Sequence, residues 1–224
     1  MADARPSVYL EGDAIIYRAS SVGLCERSLV AARLGFERAD PPPPVRDAAC
    51  AGTRLEPLAL ARLRELGWDI SHEQALVELA VAPNLVVRGH IEALAEDFAG
   101  QLWLIEVKGM SSRDLSRWRC LTWKACPSYA WQVSTYALAL GLDRILFAPC
   151  DRSRVLDPGC KWTADDWCLT QIVGLQHSVE DLREKLLRVE AQAATGELPP
   201  CDERHSYYDP FAYVHPARAR AVSA

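Results

Sequence analysis

The stretch VVRGHIEALAEDFAGQLWLIEVKGMS, residues 86–111, constrains the fold more than any other part of the chain. Two apolar runs flank the polar turn EDFAG, so the segment reads as a β-hairpin. Residues two apart on a strand share a face, so Glu106 and Lys108 point one way while Ile105 and Val107 point the other, into a core. The turn folds Glu92, on the partner run, back beside Glu106. Taken singly, each of these charges reads as a solvent-facing residue on a half-exposed sheet. Together they place two carboxylates and a lysine within apolar strands, and like charges repel in a partly desolvated site. A divalent cation compensates for that repulsion. Mg²⁺ takes oxygen ligands, keeps several waters, and is held by one or two carboxylates plus a substrate phosphate. A lysine beside it positions or activates an attacking water and offsets charge on the phosphate.

The remaining elements place further groups near that hairpin. YRASSVGLCERSLVAARLG reads as a helix entered through Ser20 or Ser21 and closed by Gly35. ADPPPPVRD reads as a stiff polyproline connector. A second helix, AGTRLEPLALARLRELG, begins near Leu55 because of Pro57 and carries Glu56 in its first turn. Strands follow over roughly 73–81, 85–94 and 101–109, then a polar, basic and aromatic stretch of helix and loop, SSRDLSRWRCLTWKACP. The helix SYAWQVSTYALALGL puts Gln132 and Tyr136, four apart, on one face toward the same cleft. RILFAPC is a short strand, and a long helix is expected over 163–195. There Ile172, Leu175, Val179, Leu182, Leu186 and Val189 recur at 3-4 spacing and pack the helix on its own sheet rather than in a coiled coil. This order predicts an α/β fold (α+β mixed) with a central mixed β-sheet flanked by helices. The 224 residues suit one domain, 1–224, with a core over about 17–195 and an extended, Pro-punctuated C-terminal tail over 196–224.

These pieces resemble the PD-(D/E)XK nuclease superfamily, more narrowly its RecB-like branch, which includes phage-type and CRISPR-associated RecB-type exonucleases. The resemblance rests on ASSVGLCERSL, the Glu56 helix, GHIEAL, IEVKG and QVSTY, and runs from about Tyr17 to Gly141. E-x-K alone carries almost no information. G-x-I-E fourteen residues ahead of it and Q-x-x-x-Y starting 24 residues after Lys108 make the pattern specific. The resemblance implies a restriction-endonuclease-like core and metal-dependent hydrolysis of DNA phosphodiester bonds with Mg²⁺ or Mn²⁺. It implies an exonuclease rather than an endonuclease, acting in phage or bacterial DNA recombination or repair, with a recombination or replication protein as partner. Glu92 and Glu106 would be metal ligands, Lys108 the catalytic lysine and Glu56 an auxiliary metal-binding acid. Gln132 and Tyr136 would stabilise the site or orient DNA. His90, read as sharing the strand face of Glu92, is a further candidate metal ligand.

Two departures from the family pattern matter. The family usually has Asp where this chain has Glu92, and the extra methylene extends the carboxylate by roughly one C–C bond toward a Mg²⁺ site needing about 2.0–2.1 Å ligand distances. Either the backbone retreats, or metal preference changes, or activity weakens. Many RecB-like relatives also carry an iron–sulfur cluster on one cysteine of the opening helix and three near the C-terminus. Of the eight cysteines, Cys25 matches the first and Cys201 a second, with Cys160 or Cys168 as substitutes, and HSYYDPFAYV supplies none. The expectation is a chain without the cluster. No C-x-x-C pair supports a zinc ribbon.

The net charge of −5 restricts DNA contact to a local basic face. Arg113, Arg117, Arg119 and Lys124 follow Lys108 against only Asp114, with Trp118 and Trp123 interleaved. Cations contact phosphates and aromatic faces stack unpaired bases, which suits single strands or duplex ends. The tryptophans read equally as anchors of a solvated helix to the core. Arg18 and Arg27 extend the basic path. The start MADARPSVYLEGDAIIYR has no charged stretch followed by an apolar run, and no apolar run nears the ~18 residues that span a bilayer. The expectation is a cytoplasmic protein of a bacterial or phage-infected cell, without membrane contact. Two other readings stay open: a nuclease-derived binding module that has lost the chemistry, and a structural protein assembled through the long helix.

Overall fold

The computed structural model describes residues 6–155, 163, 165–200 and 210–211. Its strands divide between two mixed sheets. In the first, β1 (Val8–Glu11) and β2 (Ala14–Arg18) form an antiparallel hairpin. Strand β2 runs parallel to β5 (Leu85–His90), which pairs antiparallel with β4 (Leu76–Ala82), for the order β1-β2-β5-β4. The second sheet has the order β3 (Asp69–Ser71), β6 (Ala93–Glu96), β7 (Leu102–Met110), β8 (Arg144–Asp151) and β9 (Thr170–Val173). Only β7 and β8 are parallel in it, with Glu106 opposite Phe147 and Lys108 opposite Pro149.

The chain changes sheet twice at the same place. Residues 72–75 carry it from β3 to β4, and Ile91 and Glu92 carry it from β5 to β6. The two crossings are bonded to each other, with Gln74 N–H donating to the Glu92 carbonyl at 3.1 Å and Ile91 N–H to the Ala75 carbonyl at 3.0 Å. This seam, rather than either sheet, locates the candidate site.

Among the described residues, six α-helices cover the sheets: α1 (Glu26–Arg33), α2 (Pro43–Glu65), α3 (Ser112–Leu121), α4 (Pro127–Leu140), the short α5 (Arg152–Val155) and α6 (Val179–Ala194). Helix α2 lays Leu55, Ala59, Leu60 and Leu63 against Ala95, Trp103, Ile105, Val107 and Leu146 of the five-stranded sheet. A larger core joins α1, α3, α4 and α6 through Leu29, Leu115, Trp118, Val133, Leu186 and Val189 to Leu104 and Phe147. A fully buried leucine contributes about 1.5–3 kcal/mol, so these two layers fix the β7 strand that carries Glu106 and Lys108. Helix α6 also clasps α1. Glu190 accepts from the Tyr17 hydroxyl at 2.6 Å and from Arg33 Nε at 2.9 Å, and Arg188 Nη2 reaches Glu26 at 2.8 Å.

Several elements differ from the sequence reading. The opening helix starts only at Glu26, with Cys25 rather than Ser20 or Ser21 as its cap, because Tyr17 and Arg18 belong to β2. The proline run is no connector along its whole length. Pro43 opens α2, where a missing N–H costs nothing, and the helix runs through the exposed Pro57 because its buried leucines hold both sides. The long helix over 163–195 is α6 alone. Thr170–Val173 alternate along the edge strand β9, Gly174 turns the chain at φ +87°, and a capping box of Ser178 and Asp181 starts the helix. Ile172 therefore sits on a strand, and Leu182, Leu186 and Val189 pack on the protein's own core. Among the described residues no helix is long and apolar enough to cross a membrane. Most of the tail reading falls outside the described residues, although Phe211 is buried and Ala39 N–H donates to the Pro210 carbonyl at 2.9 Å.

Candidate active site

Three carboxylates converge toward the seam. Glu106 comes from the middle of β7 and is 0% exposed. Glu92 comes from the link between β5 and β6, one residue before the Ala93–Ile105 pair, which sets it beside Glu106. Glu56 comes from the middle of α2. The Lys108 ammonium, 19% exposed, ion-pairs with Glu106 from the same strand face. Beyond that ion pair, both Glu106 carboxylate oxygens and Glu92 Oε2 are buried without a hydrogen-bond partner. Orphaned buried carboxylate oxygens are costly, and a cation among them is the kind of group that satisfies them.

The electrostatics follow from this crowding. Burial, then Glu106 and Glu56, push the Glu92 carboxyl well above the usual carboxylate range against the pull of Lys108 and of the Val107 N–H. Burial also raises Glu56, with Glu106 adding to it and a hydrogen bond from Gln74 opposing. For Lys108, burial works to lower the pKa, but the charges of Glu106 and Glu92 outweigh it and hold the ammonium charged. The carboxylate donors are all oxygen, which suits Mg²⁺ or Mn²⁺. Among the described residues no three His, Cys, Asp or Glu side chains stand in a ready-made metal cage, so Glu56, Glu92 and Glu106 converge without closing on one point.

The Q-x-x-x-Y helix lies where the sequence places it. Gln132 Nε2 donates to the Tyr136 hydroxyl at 3.4 Å. Burial, with Glu106 adding, pushes that phenol up to about 12. Tyr136 lies so close to β5 that a Cβ on Gly89 would stand 2.7 Å from its hydroxyl and 2.8 Å from Cε1. Tyr136, Gly89, His90, Gln74, Arg18 and Arg88 line a cleft of about 760 Å³ that opens from the seam. His90 does not share a strand with Glu92, because β5 ends between them. It is exposed on the cleft wall.

The basic face divides. Arg113, Arg117 and Lys124 are exposed on α3 and the 3-10 turn Thr122–Lys124 that follows it. Arg119 donates to the Asp165 carbonyl at 2.9 Å and to the Trp167 carbonyl at 3.3 Å, and Arg27 donates to the Pro199 carbonyl. The base-stacking role expected of Trp118 and Trp123 is corrected. Both are buried, edge to face at 4.9 Å, and both pack on Phe147 at 4.4 and 5.0 Å. Cys25 accepts a hydrogen bond from Ser28 N–H at 3.4 Å as the α1 cap, Cys168 lies by Thr170, and Cys160 and Cys201 fall outside the described residues.

Two residues escaped the sequence reading. The Tyr129 ring lies 5.3 Å from Lys108 Nζ, and its place one helical turn before Gln132 was the available signal. Gln74 donates its side-chain amide to Glu56, and nothing in the local sequence marks it.

No protein-family model and no curated protein sequence matches this chain. Solved structures do. The alkaline exonuclease LHK-Exo from Laribacter hongkongensis superposes with a TM-score of 0.56 at 19% identity, over 80% of this chain and 88% of that one. Its complex with dAMP gives 0.52 at 20% identity, over 79% and 93%. SSO0001 gives 0.54 at 15% identity, over 93% and 88%. The chain shares the fold of these structures.

Proposed function

We propose that this protein is a divalent-metal-dependent DNA nuclease of the RecB-like PD-(D/E)XK branch, and an exonuclease rather than an endonuclease. The observation that carries the reading is the pair of buried carboxylates Glu92 and Glu106, whose Glu92 Oε2 and Glu106 oxygens accept no hydrogen bond beyond the ion pair of Glu106 with a charged Lys108. The fold shared with an alkaline exonuclease supports it.

Glu92 and Glu106 would hold Mg²⁺ or Mn²⁺, with Glu56 as the third acid. A bound cation supplies Lewis-acid polarisation of the scissile phosphate and a water acidic enough to attack it. Lys108, anchored by Glu106, presents a fixed positive charge to a phosphate oxygen and orients the attacking water. Gln132 and Tyr136 close the side of the site formed by α4 and exclude bulk water. Arg113, Arg117 and Lys124 draw the DNA backbone toward the cleft, at an affinity that falls with salt. A role in phage or bacterial recombination or repair, with a recombination or replication protein as partner, follows from the same reading.

The test compares wild type with Lys108→Ala on end-labelled single- and double-stranded DNA, linear and circular, in Mg²⁺, Mn²⁺ and EDTA. Metal-dependent cleavage of linear DNA, abolished in Lys108→Ala, with circles spared, is the expected result. DNA binding without cleavage in either metal would refute the enzymatic reading.

A further inference from the structure

Glu56 approaches the other two carboxylates from helix α2, whereas Glu106 stands on β7 and Glu92 on the β5–β6 link, so something must aim it. Gln74 stands where it can. Its side-chain amide donates to Glu56, while its own backbone N–H donates to the Glu92 carbonyl at 3.1 Å. One residue thus ties the side chain of one acid to the backbone of another, across the seam.

The backbone around Gln74 is unusual in the same place. Gln74 and His72 both have φ +54°, a left-handed conformation that residues other than glycine seldom adopt. The link between β3 and β4 holds this strained form although glycine would fit it better, and such strain collects at functional sites. Gln74 also faces the cleft of about 760 Å³, so its amide sits at the boundary between that space and the acids.

We infer that Gln74 is a positioning residue for the metal site, holding Glu56 in register with Glu92 and Glu106 through its side-chain amide. The inference rests on the metal-site reading given above. A glutamine suits the task because its amide donates without adding charge, whereas a lysine there would compete with the cation and a glutamate would repel the acids. Partners one shell out from a metal commonly set its affinity through the ligands they orient.

The experiment measures Mn²⁺ binding to the full chain by titration calorimetry and electron paramagnetic resonance, without DNA. Wild type, Gln74→Leu, Gln74→Gly, Glu56→Gln and Glu106→Gln are compared, with melting temperatures recorded for each. Gln74→Gly relieves the left-handed backbone and folds at least as stably as Gln74→Leu, but it lacks the amide. The expected result is that both Gln74 variants weaken Mn²⁺ binding by about tenfold to a hundredfold, matching Glu56→Gln, while Glu106→Gln loses it. If wild type and Glu56→Gln differ but Gln74→Gly binds like wild type, Glu56 does not depend on Gln74 and the inference fails alone. If Gln74→Gly and Gln74→Leu bind differently, backbone shape rather than the amide governs the site, which also overturns it. If wild type itself binds no Mn²⁺, the metal-site reading falls and takes this inference with it.

Discussion

Glu92→Gln should make the metal-free protein more stable. In the wild type, Glu92 Oε2 is buried without a partner, and Glu106 and Glu56 add repulsion. A buried unsatisfied acceptor costs about 1–3 kcal/mol. Glutamine keeps the shape, removes the charge, and brings an N–H₂ that the orphaned Glu106 oxygens can accept from. In a chain of this size 1 kcal/mol moves Tm by about 2–4 °C, so the gain at neutral pH should be about 2–12 °C by scanning calorimetry in EDTA. The pH dependence has a definite sign. Glu92 and Glu56 have folded pKa values raised above the unfolded one. Their contribution is therefore fully present below about pH 4.3 and is lost as pH rises through the folded values. Wild type should lose stability over that rise, and Glu92→Gln should lose less. Saturating Mn²⁺ reverses the ranking, since a ligand at a thousand times its Kd contributes about 4.1 kcal/mol to a protein that binds it and little to one whose site lacks the Glu92 carboxylate. A Glu92→Gln protein that melts at or below wild type in EDTA would refute this reasoning, as would equal stabilisation of both by Mn²⁺.

Gly89→Ala forces a methyl against Tyr136, so a loss of about 1–3 kcal/mol is expected by denaturant melts, with activity falling further than stability because the displaced ring borders the site. Tyr129→Leu removes the aromatic face beside Lys108, a contact worth about 0.5–2 kcal/mol. It should lower kcat by a few-fold to about thirtyfold with KM unchanged, while Tyr129→Phe retains the wild-type rate. Arg113→Ala and Arg117→Ala should each weaken DNA binding and shallow its salt dependence by about one phosphate contact, whereas Arg119→Ala should lower Tm without changing that slope.

Much of the site was legible because it sits on regular elements. Period-two alternation along β7 placed Ile105 and Val107 under α2 and left Glu106 and Lys108 together, and period four along α4 joined Gln132 to Tyr136. What the sequence hid depends on long-range pairing. The run 85–94 looks continuous, yet its halves belong to different sheets, and only the partners β4 and β7 decide where it divides. Gln74 was invisible for the same reason, since both its bonds reach residues 18 positions away. The heptad-like spacing from Ile172 to Val189 misled because strand, turn and helix happen to keep their apolar residues in step. Gly174 and the Ser178–Asp181 box were the local signals against it. Trp118 and Trp123 show that charge around an aromatic does not expose it: the arginines face outward and the rings inward on one helix and its following turn.

The clasp of α6 on α1 bears on how the chain matures. Tyr17 and Glu190 are separated by 173 positions, and Arg33 and Glu190 by 157. The buried Tyr17 hydroxyl and the inner faces of Leu29 and Val30 gain cover only when α6 arrives. During synthesis on the ribosome the first sheet must therefore wait, nearly assembled, for a helix made long after it. Non-local closure of this kind slows folding and leaves apolar surface open in the interval. Nascent chains halted before residue 179 should be the protease-sensitive and chaperone-bound species, and release of α6 from the exit tunnel should be the step that ends that exposure.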